Sequence, residues 1–222
     1  MEIIKHLHAG EPKENTNGPI PGSMGKWAPY YDSFLRLVTI GRERTLREMT
    51  VTLAQIKPGD KVLEIGCGTG TLSMEAKTRV GPSGEVYGID AAPEMIEVAR
   101  KKVSRANLDV VFRVGQIENI SFSNNQFDVV LCSFMIFVIT DDMRRKGFLE
   151  IRRVLKPNGQ LLVLDFSPPA NILLRHLVTL LFGRRHSLQR IFPMMEEAGF
   201  TEIEIRETNY KVLSFVRGKS NK

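Results

Sequence analysis

The spacing of apolar residues changes near residue 60, and that change divides the chain. Upstream, Tyr30, Phe34, Leu37 and Val38 follow Trp27 at i, i+4, i+7 and i+8, the period of an amphipathic helix. A second helix is expected over residues 42–56, stopped by Pro58-Gly59. From residue 61 the apolar positions come in short runs instead, at 61–65, 85–89, 109–114, 127–132 and 160–166. Helical stretches separate these runs: from Gly70 to about Val80, from Pro93 to about Arg105, and from about Asp142 to Leu155. Pro93 suits the first position of its helix, where its missing N–H costs nothing. Gly81-Pro82-Ser83-Gly84 and Lys156-Pro157-Asn158-Gly159 read as turns.

Strands alternating with helices at this spacing require right-handed crossovers, hence a parallel sheet covered on both faces. The expected fold is α/β: a doubly wound, mostly parallel, seven-stranded sheet of the Rossmann-like kind. Residues 202–206 and 211–216, flanking Thr208-Asn209, should close it as an antiparallel hairpin. The intervening 171–198 is helical in pattern, apolar and basic. Residues 1–25 are polar, with Pro12 and Pro21, and read as a mobile arm. The remainder, 26–222, is expected to be one domain, with N-terminal helices at 26–56 and a helical lid at 168–198.

Composition narrows the class. At 222 residues with 42% hydrophobic content the chain can bury a real core. Its two cysteines, Cys67 and Cys132, fall in apolar runs, which argues against a disulfide-built protein and for a reducing, cytoplasmic setting. The start lacks a signal-peptide pattern, and no apolar run is long enough to span a bilayer. Net charge is +6, with a pI near 9.4. The distribution says more than the sum. No acidic residue lies between Asp165 and Glu196, whereas Arg175, Arg184, Arg185 and Arg190 do. The basic clusters at 100–105 and 144–156 are expected to be solvated helix faces.

The chemistry concentrates in Glu64-Ile65-Gly66-Cys67-Gly68-Thr69-Gly70. A strand that breaks into alternating glycines and opens a helix brings backbone N–H groups close to a ligand. Asp90 ends the next strand, 20 residues after Gly70, where a carboxylate can take both hydroxyls of a ribose. A competing role for Asp90 is the N-cap of the Pro93 helix. The spacing is G-x-G-x-G, and position 71 is Thr71, so the G-x-G-x-x-G pattern that serves a pyrophosphate is absent. A ligand without phosphates fits this turn better, and no metal is called for.

The segment Glu64–Gly70 resembles the first motif of class I S-adenosylmethionine-dependent methyltransferases. Within that class the chain is most similar to the ubiquinone/menaquinone-biosynthesis C-methyltransferases. The likeness is carried by Tyr30-Tyr31-Asp32, Ile139-Thr140-Asp141, the run from Arg153 to Gly159, and Val163-Leu164-Asp165-Phe166-Ser167-Pro168. It implies S-adenosyl-L-methionine as cofactor, with Gly66, Gly68 and Gly70 along its methionine part and Asp90 on its ribose. Ala91 and Met95 would border the adenine, with Gln116 and Ile117 at its amino group, where the family usually has an Asp-Ala pair. Tyr31 would close over the cofactor carboxylate, and Glu64, Cys67 and Cys132 complete the implied binding set.

The chain departs from the family on the acceptor side. The quinone enzymes carry an Arg-Asn pair after the fourth strand, and this chain has Phe134-Met135-Ile136-Phe137-Val138. The sequence singles out no general base; His176, His186 and Asp165 are weak candidates, and a base is needed only if the accepting atom must lose a proton. The expected activity is methyl transfer to a small, apolar or lipid-like acceptor of the quinone, phenol or lipid class. The apolar-basic stretch 171–190 is expected as a lid, and as a face for peripheral contact with an anionic membrane. Two other classes stay open: a nicotinamide-cofactor oxidoreductase, against which the glycine spacing counts, and an RNA-modifying or RNA-binding protein, which rests on the basic pI alone.

Overall fold

The computed structural model describes residue 32 and residues 41–166, 188–208 and 213–222. Helix α1 (Glu43–Leu53) leads into strand β1 (Lys61–Ile65), followed by α2 (Thr71–Val80), β2 (Glu85–Asp90), α3 (Pro93–Ala106) and β3 (Val111–Val114). Then come β4 (Phe127–Ser133), a short 3-10 turn at Ile136–Val138, α4 (Asp141–Val154) and β5 (Leu155–Phe166). A 3-10 turn at Leu188–Arg190, α5 (Phe192–Glu197), β6 (Phe200–Glu207) and β7 (Leu213–Ser220) complete the described elements. The first helix expected from the sequence, the arm at 1–25 and most of the 171–190 stretch lie outside the described residues.

The seven strands form one sheet in the order β3-β2-β1-β4-β5-β7-β6. β3, β2, β1, β4 and β5 are parallel neighbours, and β7 runs antiparallel between β5 and β6. This is the doubly wound arrangement that the alternation predicts. In the central strand β1, Val62, Leu63 and Ile65 are all buried, as both-sided coverage requires. Leu63 and Ile65 pack with Phe148 and Ile151 of α4 on one face of the sheet. Val62 packs on the other with α1, α2 and α3, through Val51, Ala76 and Ala99.

Several boundaries differ from expectation. α1 stops at Leu53 rather than reaching Ile56, with Gln55 in the left-handed region at φ +50°. α4 begins at Asp141 because Thr140 caps it, its hydroxyl accepting the Met143 N–H at 3.3 Å. α4 then passes straight into β5, and the expected turn at 156–159 becomes an irregularity in the ladder with β4, Asn158 taking φ +60°. β7 extends through Arg217, Gly218, Lys219 and Ser220, beyond the 211–216 run expected from the sequence. Partners on both sides hold it: Gln160 pairs Lys219 on β5, while Arg217 and Lys219 form ion pairs with Glu204 and Glu202 on β6.

Candidate cofactor site

β1 delivers Glu64 and then breaks at Gly66. The N–H groups of Gly66 and Cys67 both donate to the Ile89 carbonyl, at 2.8 and 3.0 Å, so the turn is tied to the end of β2. Gly66 takes φ +69°, and a Cβ there would lie 2.8 Å from Met135 Cβ, so no side chain fits between the turn and the loop after β4. Gly70 meets a packing demand that its spacing in the sequence does not announce. With φ +77°, its Cβ would lie 2.5 Å from Phe112 Cζ and 2.9 Å from Ala99 Cβ. Its bareness lets α2 start against β3 and α3, which is a packing requirement.

Asp90 closes the turn from the β2 side. Its Oδ2 accepts the Gly68 N–H at 2.8 Å and its Oδ1 the Ala92 N–H at 2.9 Å. The N-cap of α3 is Ala92, without a side-chain bond, so Asp90 braces two loops rather than capping the helix. Burial raises the Asp90 carboxyl above its usual value, and the two N–H donors oppose that rise. Each carboxylate oxygen keeps a further lone pair for a hydroxyl donor.

Glu64 is buried, at 3% exposure, and accepts a short hydrogen bond from Ser73 Oγ of α2. Burial pushes its carboxyl up to about 8, while the Ser73 hydroxyl and N–H pull the other way. It lines a cleft open to solvent, together with Gly66, Cys67, Gly68 and Thr69. Ser133 and Phe134 close the cleft from β4, and Glu43, Arg47 and Thr50 from α1. Strand order reverses between β1 and β4, and the crevice at such a point, beyond the carboxyl ends of the strands, is where ligands of open α/β sheets bind. Phe134 holds φ +56°, rare for a bulky residue, and its N–H is fixed by the Leu164 carbonyl at 2.9 Å.

The other expected residues divide. Gly115 N–H donates to the Asp90 carbonyl at 3.0 Å, which sets exposed Gln116 beside the Asp90 end of the site, and Ala91 is half-buried next to it. Met95 packs against Ala92 and Val98. Ile117 and Cys132, expected at the cofactor, turn their side chains into the core at 4% and 1% exposure. Cys67 is likewise packed inside, and burial raises both thiols. Asp165 is buried near the end of β5, in register with Ser214 and one residue beyond Leu164, which pairs with Ser133, and it does not itself line the cleft. Tyr31, His176 and His186 lie outside the described residues. Among the described residues, no group of three or more His, Cys, Asp or Glu side chains is placed to hold a metal.

The basic clusters are exposed at Arg100, Lys101, Arg105, Arg145 and Lys146, as expected, but some of their members are also held by the fold. Arg144 is 2% exposed and donates to the Ile136 carbonyl at 2.7 Å and to Asp141 at 2.5 Å. Arg100 donates to the Phe112 carbonyl at 2.7 Å, and Lys102 donates to Thr69 Oγ1 at 3.0 Å. The sequence did carry a signal for two of them. Lys102 lies seven residues after Met95 and three after Ala99 on one helical row, and Arg144 heads the row Gly147, Phe148, Ile151 that α4 buries.

A family model described as a methyltransferase domain matches residues 62–159. The ubiquinone/menaquinone biosynthesis C-methyltransferase of Geotalea daltonii is 33% identical over 68% of this chain and 64% of its own length. The chain therefore spans just under two thirds of that relative. The demethylmenaquinone methyltransferase of Deinococcus radiodurans is 34% identical over 81% of this chain and 72% of its own. Among solved structures, a SAM dependent methyltransferase from Aquifex aeolicus superposes with a TM-score of 0.69 at 23% identity, over 88% of this chain and 97% of that one. That last likeness is one of fold.

Proposed function

Because the chain belongs to the ubiquinone/menaquinone-biosynthesis C-methyltransferase family, within the class I S-adenosylmethionine-dependent methyltransferases, we propose that it methylates a ring carbon of a reduced quinone. The observation that carries the cofactor half is the Asp90 carboxylate joined to Gly68 N–H at the mouth of a cleft that also holds Glu64 and Arg47. S-adenosylmethionine brings a cationic sulfonium, an ammonium and a carboxylate, and supplies an electrophilic methyl group when bound. The residues fit that charge pattern: Glu64 and Glu43 face the cationic groups, Arg47 offers the carboxylate a partner, and Asp90 retains lone pairs for the ribose hydroxyls.

The protein's part in such a transfer is alignment and exclusion of water. Phe134 at the end of β4 and the apolar stretch after it supply a dry wall on the acceptor side, which suits an aromatic ring with an isoprenoid tail. The Arg-Asn pair of the quinone enzymes is missing there, so the acceptor is held by shape and apolar contact. Met135, against Gly66, keeps that wall in register with the glycine turn.

The stretch 171–190 is proposed to lie on an anionic membrane and collect the acceptor there. Among the described residues, no helix is long and apolar enough to cross a membrane. Flotation with anionic vesicles, wild type against Leu177→Asp, tests this contact: equal recovery of both proteins discards it.

The activity is tested in two steps. A thermal melt with S-adenosylhomocysteine should rise by several degrees at saturation, through the linkage of binding to folding. Transfer of a labelled methyl to a demethylated naphthoquinol, compared with a simple phenol and a phospholipid amine, then reads the acceptor. A melt that moves without labelled quinol would redirect the search to the other acceptors. A melt that moves only with a nicotinamide dinucleotide would overturn the assignment.

A further inference from the structure

Three charged or polar groups from distant parts of the chain meet on the outer side of the glycine turn. Thr69, in the turn itself and 1% exposed, donates its hydroxyl to Asp32 Oδ1 at 2.6 Å. The same hydroxyl accepts from Lys102 Nζ of α3 at 3.0 Å, and Lys102 Nζ also forms an ion pair with Asp32 Oδ2. Asp32 thus spans 37 positions to a residue flanked by Gly68 and Gly70.

The arrangement is costly unless it does something. The Lys102 side chain is 24% exposed and that of Asp32 40%, so both ions have given up much of their water. Burial lowers the Lys102 pKa, opposed by Asp32, and Arg47 lowers it further. Lys102 occupies a position on the buried side of α3 where an apolar residue would pack without that penalty. The single hydroxyl in the turn both donates and accepts, so Thr69 reads the presence of both partners.

We propose that Asp32, Thr69 and Lys102 form a latch that ties the glycine turn to α3 through residue 32 and so sets how long the nucleoside cofactor stays bound. This rests on the cofactor reading above. Thr69 lines the cofactor cleft and its neighbour Gly68 is held by Asp90, so the latch acts on the turn that the ligand must meet. Breaking it separates one ion pair and two hydrogen bonds and releases the turn at Thr69 from α3. Lys102 and Asp32 are positioning residues; neither touches the reacting atoms.

The test is the dissociation rate of S-adenosylhomocysteine from the full chain, measured by stopped flow for wild type, Lys102→Met, Lys102→Arg and Asp32→Asn. Lys102→Met and Asp32→Asn should each speed release by roughly tenfold, the scale of one charge-assisted interaction, and the double variant should add little. Lys102→Arg should recover most of the wild-type rate, and high salt should speed release from wild type more than from Lys102→Met. At saturating cofactor the turnover rate should hold while the cofactor KM rises. Release within twofold of wild type in a folded Lys102→Met protein would overturn the latch and leave the cofactor reading intact. Should that variant fail to fold, Asp32→Asn, which sits at a more exposed position, decides alone by the same criterion. A wild-type chain that binds no S-adenosylhomocysteine would overturn the cofactor reading and the latch together.

Discussion

Asp90 Oδ2 takes the Gly68 N–H at 2.8 Å, so the acid at the end of β2 and the middle glycine of the turn after β1 form one unit. The carboxylate therefore has two functions that a mutation will mix: bracing the turn, and receiving the ribose. Asp90→Ala should weaken S-adenosylhomocysteine binding by about 1.5–3 kcal/mol, the loss expected for charge-assisted hydrogen bonds. Asp90→Asn, which keeps one acceptor, should fall between. Calorimetric titration of both variants checks this, and unchanged affinity in Asp90→Ala would remove the ribose assignment.

Gly70→Ala should destabilise the fold by about 2–4 kcal/mol, combining a left-handed backbone with overpacking against Phe112 and Ala99. Urea unfolding reads it. The double change Gly70→Ala with Phe112→Leu should recover part of the loss, because the nearest clash is with the ring tip at 2.5 Å. Cofactor affinity, corrected for the folded fraction, should change little. A Gly70→Ala protein as stable as wild type would show that the neighbours yield easily.

The order of elements, the parallel sheet and the pair formed by the glycine turn and Asp90 were legible because each rests on local pattern: apolar period, turn residues, and fixed spacing along the chain. What escaped depends on long-range geometry. Glycine spacing alone gave no means of separating Gly66, which faces the loop after β4, from Gly70, which faces α3 and β3. Ser73 under Glu64 and the meeting of Asp32, Thr69 and Lys102 require the folded chain. Ile117 and Cys132 were placed by family position, and their side chains instead fill the core. In the basic clusters Arg100, Lys101, Arg145 and Lys146 are exposed as expected, while helical phase turns Lys102 and Arg144 inward.

Arg144 is buried among apolar residues of α4, and its Nε holds the Ile136 carbonyl at 2.7 Å, fixing the loop that follows β4. Asp141 bridges it to Arg190 at 3.1 Å. Arg144→Met should cost about 3–5 kcal/mol, since it orphans a buried carbonyl and breaks a charge pair. Asp141→Asn should cost less, because Asp141 is partly exposed and the amide oxygen can still accept. Urea midpoints rank the two, and equal losses would assign the cost to the pair rather than to the carbonyl.

The Glu64 carboxyl gives the protein a pH signature whose sign is fixed by its environment. Its value is raised from 4.5 to about 8, chiefly by burial, so the folded state binds more protons than the unfolded chain between those limits. Stability from this group is therefore full below about pH 4.5 and declines as pH rises towards 8, after which it is level. Glu64→Gln, a neutral mimic of the protonated form that still accepts from Ser73, should melt higher than wild type at pH 8 and close to it at pH 5. The cofactor's cationic groups favour the carboxylate, so binding near pH 7 should release a proton and tighten as pH rises. Titration calorimetry of S-adenosylhomocysteine at pH 7 in buffers of different ionisation enthalpy counts that proton. Its ammonium is enough to elicit the release, and S-adenosylmethionine, with the added sulfonium, should release more. Proton release that persists unchanged in Glu64→Gln would place the titrating group elsewhere, with Asp90, the neighbouring acid whose value burial also raises, as the next residue to substitute.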